Sequence, residues 1–154
     1  MDSMGKAKGE IEMNAEKKKE IRDLIANAAN VYVSSIDENG YPNVKAMFAR
    51  MQDGARYHYM STNYSSRRTR QFLKNNKCSI YYCSETTYQG VMLTGHMEVC
   101  TDHDTKAMIW KDSDLIYYRQ GVDDPDYCVY RFVAEHGNYY HGLENIDFSV
   151  EEFQ

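Results

Sequence analysis

Four residues of this chain, Thr62, Ser66, Arg67 and Arg68, stand close enough in sequence to act on one ligand. They fall in the stretch STNYSSRRTRQF, Ser61 to Phe72, where four Ser/Thr hydroxyls and an Asn run into three arginines. Ser65 or Ser66 caps a helix there, which puts Arg67 and Arg68 in its first turn. A helix N-terminus carries partial positive charge, so each base in that turn costs about 0.3–1 kcal/mol. A bound dianion reverses the sign of that cost. Unpaired backbone N–H groups, hydroxyl donors and guanidinium forks would then converge on one phosphate. The pattern predicts a phosphate-monoester site; a solvated basic helix face is the plainer alternative.

Other chemistry finds less support. The four cysteines, Cys78, Cys83, Cys100 and Cys128, form no CxxC pair and read as reduced core thiols. The five histidines are scattered without zinc spacing, so no metal is expected. His58 lies in a strand and His96 on a polar strand face; neither has a nucleophile beside it. Charge is uneven: between Asp53 and Glu85 there are six bases and no acid, and from Gly121 onward eight acids against Arg131 alone. A basic block near Tyr57, Tyr59 and Tyr64 could hold a single nucleic-acid strand by stacking. The pI of about 5.5 and the confinement of net positive charge to one short block argue against it.

The elements that must position the phosphate site follow from periodicity. Residues 1–13 are polar and Gly-spaced, resemble no signal peptide, and are expected to be disordered. No apolar run approaches the roughly 18 residues of a membrane span. The expectation is one cytoplasmic domain over residues 14–154. Asn14 can cap a helix with Ile21, Leu24, Ile25, Ala28 and Ala29 on its apolar face. Strands are expected at 31–36, 44–51, 56–61, 78–84 and 90–100, with a closing pair at 127–135 and 138–143 and an acidic tail beyond. The Asn39-Gly40 pair supplies positive φ for the first hairpin. A short helix follows Ser65 or Ser66, with Thr69, Phe72 and Leu73 inward. Another is opened by Asp102 or Asp104 and runs through Trp110. Gly95, inside a strand, marks a bulge or a close approach. About six strands joined mostly by hairpins, with a helix in front and two inserted, describe a mainly β antiparallel barrel with flanking helices.

The motifs also carry a resemblance. Pro42-Asn43-Val44-Lys45 followed by Ala46, Met47 and Phe48, then Thr62-Asn63-Tyr64-Ser65-Ser66-Arg67-Arg68, resembles the flavin-binding split barrels related to pyridoxamine 5'-phosphate oxidase. The likeness runs from about Val31 to Tyr140. Trp110 with Gly121-Val122-Asp123-Asp124-Pro125-Asp126 is similar to the general-stress-protein-like branch. The resemblance implies that Lys45, Ser66, Arg67 and Arg68 hold the phosphate of flavin mononucleotide (FMN), Arg68 replacing the usual Lys. It places Ser61, Thr62 and the backbone of Ala46 to Phe48 beside the flavin. It also implies a homodimer with flavin at the interface, the partner contributing residues near Gln89 and Gly90. Trp110 would touch the flavin ring or plug the core.

What the flavin acts on is less legible. The family's oxidase holds its substrate phosphate with a basic residue at the position of Arg50. Its R-P-x-S motif is absent from WKDSDLIYYRQG, where Tyr117, Tyr118 and Arg119 offer polar handles, and its Trp- and Arg-rich C-terminal segment is missing. The resemblance therefore implies an FMN-dependent oxidoreductase with another small-molecule substrate. The alternative is a non-catalytic flavin-binding stress or sensing protein; pyridoxamine phosphate oxidase activity is the weaker expectation.

Overall fold

The computed structural model describes residues 12–153. The expected disordered segment lies, apart from Glu12 and Met13, outside them. Asn14 opens the first helix as expected: its side-chain oxygen accepts from the Lys17 N–H at 2.9 Å. Helix α1 (Ala15–Asn27) buries Ile21, Leu24 and Ile25. Ala28, expected inside the helix, is its extended C-cap, and Ala29 is exposed.

Eight strands form one antiparallel sheet: β1 (Asn30–Ile36), β2 (Pro42–Phe48), β3 (Met51–Asp53), β4 (Tyr57–Asn63), β5 (Lys77–Ser84), β6 (Gln89–Cys100), β7 (Tyr127–His141) and β8 (Glu144–Ser149). Their spatial order is β2-β1-β5-β6-β7-β4-β3, with β8 also pairing β7. The sheet curls into a split barrel flanked by α1, α2 (Arg67–Lys74) and α3 (His103–Met108). Antiparallel pairing puts opposed residues on one face. The row Val33–Ile80–Leu93–Gly137–Phe148 therefore crosses five strands facing inward. Gly137 is needed in that row, because a Cβ there would overlap the Phe148 ring. Outward, the row Ala46–Tyr32–Tyr81–Met92 crosses four strands.

Local departures from the expected pattern have physical causes. The first hairpin needs only Gly40 at positive φ (+84°), and Asn39 stays in the ordinary region. Asp37 replaces the second left-handed residue by accepting from the N–H groups of Asn39 and Tyr41, each at 2.9 Å. The expected strand 44–51 breaks after Phe48. There Ala49 N–H turns to Ala29 O (3.0 Å) and Arg50 N–H to Tyr59 O (3.3 Å). The β6–β7 register shifts at Thr94/Gly95, and a Cβ on Gly95 would collide with the Val133 carbonyl, so the bulge and the close approach are one feature.

The largest correction concerns the C-terminal part. Residues 127–135 and 138–143 are not a hairpin pair; β7 runs unbroken through His141 and turns at Gly142 (φ +60°). The acidic tail supplies β8, with Ile146 and Phe148 buried between outward Asn145 and Asp147, and Val150 buried beyond it. Helix α3 ends at Met108, before Trp110. Among the described residues no helix is long and apolar enough to cross a membrane, and all four cysteines are free thiols.

Candidate functional site

The loop after β4 builds the site. Ser66, not Ser65, is the cap of α2: its Oγ accepts from the Thr69 N–H at 3.2 Å. Arg67 and Arg68 then occupy the first turn, which holds no acid. The Ser66 N–H is spent on Asn63 O (3.2 Å). The Arg67 and Arg68 N–H groups, the next two, lie too early in the helix for an intrahelical acceptor. They point out of the helix end as the dipole does.

Beneath the turn lies a chain of hydroxyls. Thr69 Oγ1 donates to Asn63 O at 3.0 Å, and the Tyr130 hydroxyl sits 2.7 Å from Thr69 Oγ1 and 3.2 Å from Ser66 Oγ. Burial raises the Tyr130 pKa, opposed by its bonds to Ser66 and Thr69, so the phenol stays protonated as a donor. That one phenol proton serves Thr69 Oγ1, whose own proton is on Asn63 O, so the Ser66 hydroxyl donates either to the Tyr130 oxygen or to a ligand. Arg68 lies across this chain: its Nη2 donates to Thr62 Oγ1 at 3.1 Å and its guanidinium stands 5.9 Å from the Tyr130 ring centre. Its Nε is buried without a partner, as is Ser61 Oγ. The Tyr127 hydroxyl, close to Ser61, donates instead to Lys106 O at 2.9 Å. Buried donors without partners are rare and point to a missing acceptor.

Lys45 completes the arrangement. It shares the inward side of β2 with Met47, two residues on, and with Ser66, Arg67 and Arg68 it lines one open groove of about 670 Å³. Gln71 and the first hairpin, Asp37 and Tyr41 to Val44, form the rest of that wall. The Asp37 carboxyl is held below its usual range by the Asn43 side chain, the Tyr41 N–H and the charge of Arg67. Three cations and two free N–H groups thus face one groove whose single carboxylate is already engaged by its own hairpin.

The other expected site residues are distributed differently. Thr62 is buried under Arg68. Val44, Ala46 and Phe48 face outward on β2, an edge strand, so every other backbone N–H of Ala46 to Phe48 points to the open edge. Gln89 and Gly90 stand three strands from β2, about 14 Å at ordinary strand spacing, and do not reach the groove of their own chain. Gln89 donates to the Tyr139 hydroxyl (2.8 Å), and Gly90 lies beneath the hydrogen-bonded Tyr81–Tyr140 pair, whose rings a Cβ would meet. Trp110 packs against Tyr127 and Tyr118, with ring centres 5.1 and 6.5 Å away, in a second core cluster. Arg50 is engaged by the buried Asp114 carboxylate through bonds of 2.5 and 3.3 Å. Sequence reasoning missed Tyr130 and Asp37; nothing local marks Tyr130 among fourteen tyrosines.

None of the five histidines lines the groove. His58 is buried between the Tyr82 hydroxyl and Ala55 O, each at 2.7 Å, and burial lowers its pKa to about 4. His96 sits 3.6 Å from Glu135 across the bulge. The groove therefore gathers positive charge but offers no acid–base pair of its own.

A split barrel with a basic groove at its edge strand is the class that this fold and site define. The chain belongs to the pyridoxamine 5'-phosphate oxidase family, whose model matches residues 18–141. Its fold is similar to that of a Clostridium acetobutylicum protein related to general stress protein 26 of B. subtilis (pyridoxinephosphate oxidase family). The two are 39% identical over 92% of this chain and 100% of that one, with a TM-score of 0.84. More distant likenesses show the fold alone. One is a pyridoxamine 5'-phosphate oxidase-related, FMN-binding protein from Nostoc punctiforme (10% identity, 88% and 90% of the two chains, TM-score 0.69). Another is a heme-binding protein from Mycobacterium smegmatis (15% identity, 93% and 61%, TM-score 0.70). Among curated proteins none matches.

Proposed function

We propose that this chain is an FMN-binding flavoprotein, an oxidoreductase acting on a small molecule. The observation that carries the reading is the cradle itself: Lys45, Arg67 and Arg68 around one groove, above an acid-free helix start with unspent N–H groups. A phosphate monoester carries about −1.5 to −2 charge at neutral pH and accepts from several donors at once. Such a group turns a local electrostatic cost into a gain. The unpartnered Arg68 Nε fits the same group. Haem fits less well, because the groove wall carries no His or Cys to ligate iron.

A bound flavin supplies the redox chemistry, and the protein supplies position and electrostatics. Lys45, Ser66, Arg67 and Arg68 hold the phosphate. Thr62 fixes Arg68 from below, and Ser61, beside the Tyr127 hydroxyl, lies next to the ring system. A backbone N–H on the open edge of β2 can donate to the ring nitrogen that exchanges protons. The functional unit is a homodimer in the cytoplasm, with Gln89 and Gly90 reaching the partner's flavin. Two features support this: their separation from their own groove, and the apolar outward row that ends at Ala46, flanked along β2 by exposed Val44 and Phe48. Nucleic acid is not a partner on this reading.

The absence of a histidine from the groove also favours a second reading, a flavin-binding stress or sensing protein without turnover. One experiment separates the two. FMN-loaded protein is mixed anaerobically with reduced nicotinamide cofactors and other small donors while the flavin band is followed. Bleaching supports the oxidoreductase; a band unchanged by every donor supports the binder; purified protein that takes up no FMN at all refutes both.

A further inference from the structure

The turn that carries the cradle is held from behind by a segment far away in sequence. β4 and β7 pair as far as Asn63 and Tyr127, and the ladder continues one step beyond, with Tyr64 N–H donating to Asp126 O at 2.7 Å. The next N–H, that of Ser65, donates to the Asp126 carboxylate at 2.8 Å. Ser66 N–H goes to Asn63 O. Three successive N–H groups are thus turned away from the groove, and Arg67 is the first residue whose N–H remains for a ligand. Asp126 is itself fixed. Its N–H donates to Asp124 Oδ1 (3.0 Å), Asp124 Oδ2 accepts from Gln120 N–H (3.2 Å), and Asp124 O accepts from the buried Lys106 ammonium (3.1 Å). A parallel tie joins the Tyr118 hydroxyl to Asn63 Oδ1 at 2.5 Å.

We propose that Asp126 is the positioning residue of the phosphate cradle: its carboxylate, bound to the Ser65 N–H, sets the turn so that the Arg67 and Arg68 N–H groups face the anion. The proposal rests on the FMN reading above. A carboxylate beside a dianion site repels the ligand, so charge is not its contribution. Acceptance of a backbone N–H is the contribution, and it explains why a segment rich in acids packs against this basic corner. Neutral Asn at this position keeps the acceptor and removes the repulsion.

The test compares FMN with riboflavin, which lacks the phosphate, by flavin fluorescence titration on wild type, Asp126→Ala and Asp126→Asn. Amide exchange at Ser65 is followed in the unliganded proteins. The alanine variant is expected to lose about tenfold in FMN affinity, the worth of one hydrogen bond, with riboflavin affinity unchanged and Ser65 exchange accelerated. The asparagine variant is expected to match or exceed wild type for FMN and to keep Ser65 protected. Equal losses for FMN and riboflavin, an asparagine variant as poor as alanine, or unchanged FMN binding in the alanine variant would each overturn the proposal. Wild-type protein that binds neither flavin would overturn the cradle reading itself, a separate and recognisable result.

Discussion

Replacing Arg67 and Arg68 with alanine, singly and together, examines the cradle at two depths. Arg67 is exposed at the rim, whereas Arg68 is half-buried, tied to Thr62 and set against Tyr130. Hydrogen bonds to a charged group contribute about 1.5–3 kcal/mol. The solvated Arg67 belongs at the lower end, about tenfold in affinity, and Arg68 at the upper end, about a hundredfold. The double variant should lose about 10²–10³-fold, less than additive because both guanidiniums face one phosphate. Arg68→Lys should recover only part of the loss, since an ammonium keeps the charge but not the planar fork. The assay is titration of FMN fluorescence, repeated with riboflavin as the control for ring contacts. The reasoning is refuted by a double variant that binds FMN as wild type does, or by riboflavin affinity falling in step.

Three further outcomes follow from the structure. Ser66→Ala removes the cap of α2 and should lower stability by about 1 kcal/mol in urea unfolding, whereas Ser66→Asp restores the cap but repels the phosphate, so stability and FMN affinity should part company. His58 has a folded pKa of about 4 against an ordinary 6.5, so the unfolded chain binds one more proton between those values. Its contribution is whole above pH 6.5 and is lost as the pH falls toward 4, at about 1.4 kcal/mol per pH unit. His58→Gln should flatten unfolding stability in that window; an unchanged slope would exclude His58 as the source. Glutamates at exposed Val44 and Phe48 should turn a dimer into monomers in analytical ultracentrifugation, and identical sedimentation of variant and wild type would place the contact elsewhere.

How far the sequence reached is clearest in this site. Ser66, Arg67 and Arg68 were legible because cap, charge and helix start lie within a few consecutive residues, and their conflict with the helix dipole is local. Lys45 came only with the family motif, since nothing local ties a strand lysine to a helix twenty residues later. Tyr130 and Asp126 reach the turn across sequence separations of 61 to 64 residues, through a β4–β7 register that no periodicity reveals. The acidic tail misled for a related reason. Its acids sit at the exposed start of β8 (Glu144), on its outward side (Asp147) and in the turn beyond it (Glu151 and Glu152), and they masked the alternating Ile146 and Phe148 that bury inward. Trp110 had two readings open; its aromatic neighbours lie in the second core cluster, within its own chain.

The measurement that bears most directly on the whole account is a crystal structure of the chain grown with FMN. The account predicts the phosphate seated at the start of α2, within about 3 Å of the Arg67 and Arg68 N–H groups and reached by Lys45. A phosphate lodged elsewhere, with that turn facing bulk water, would contradict it.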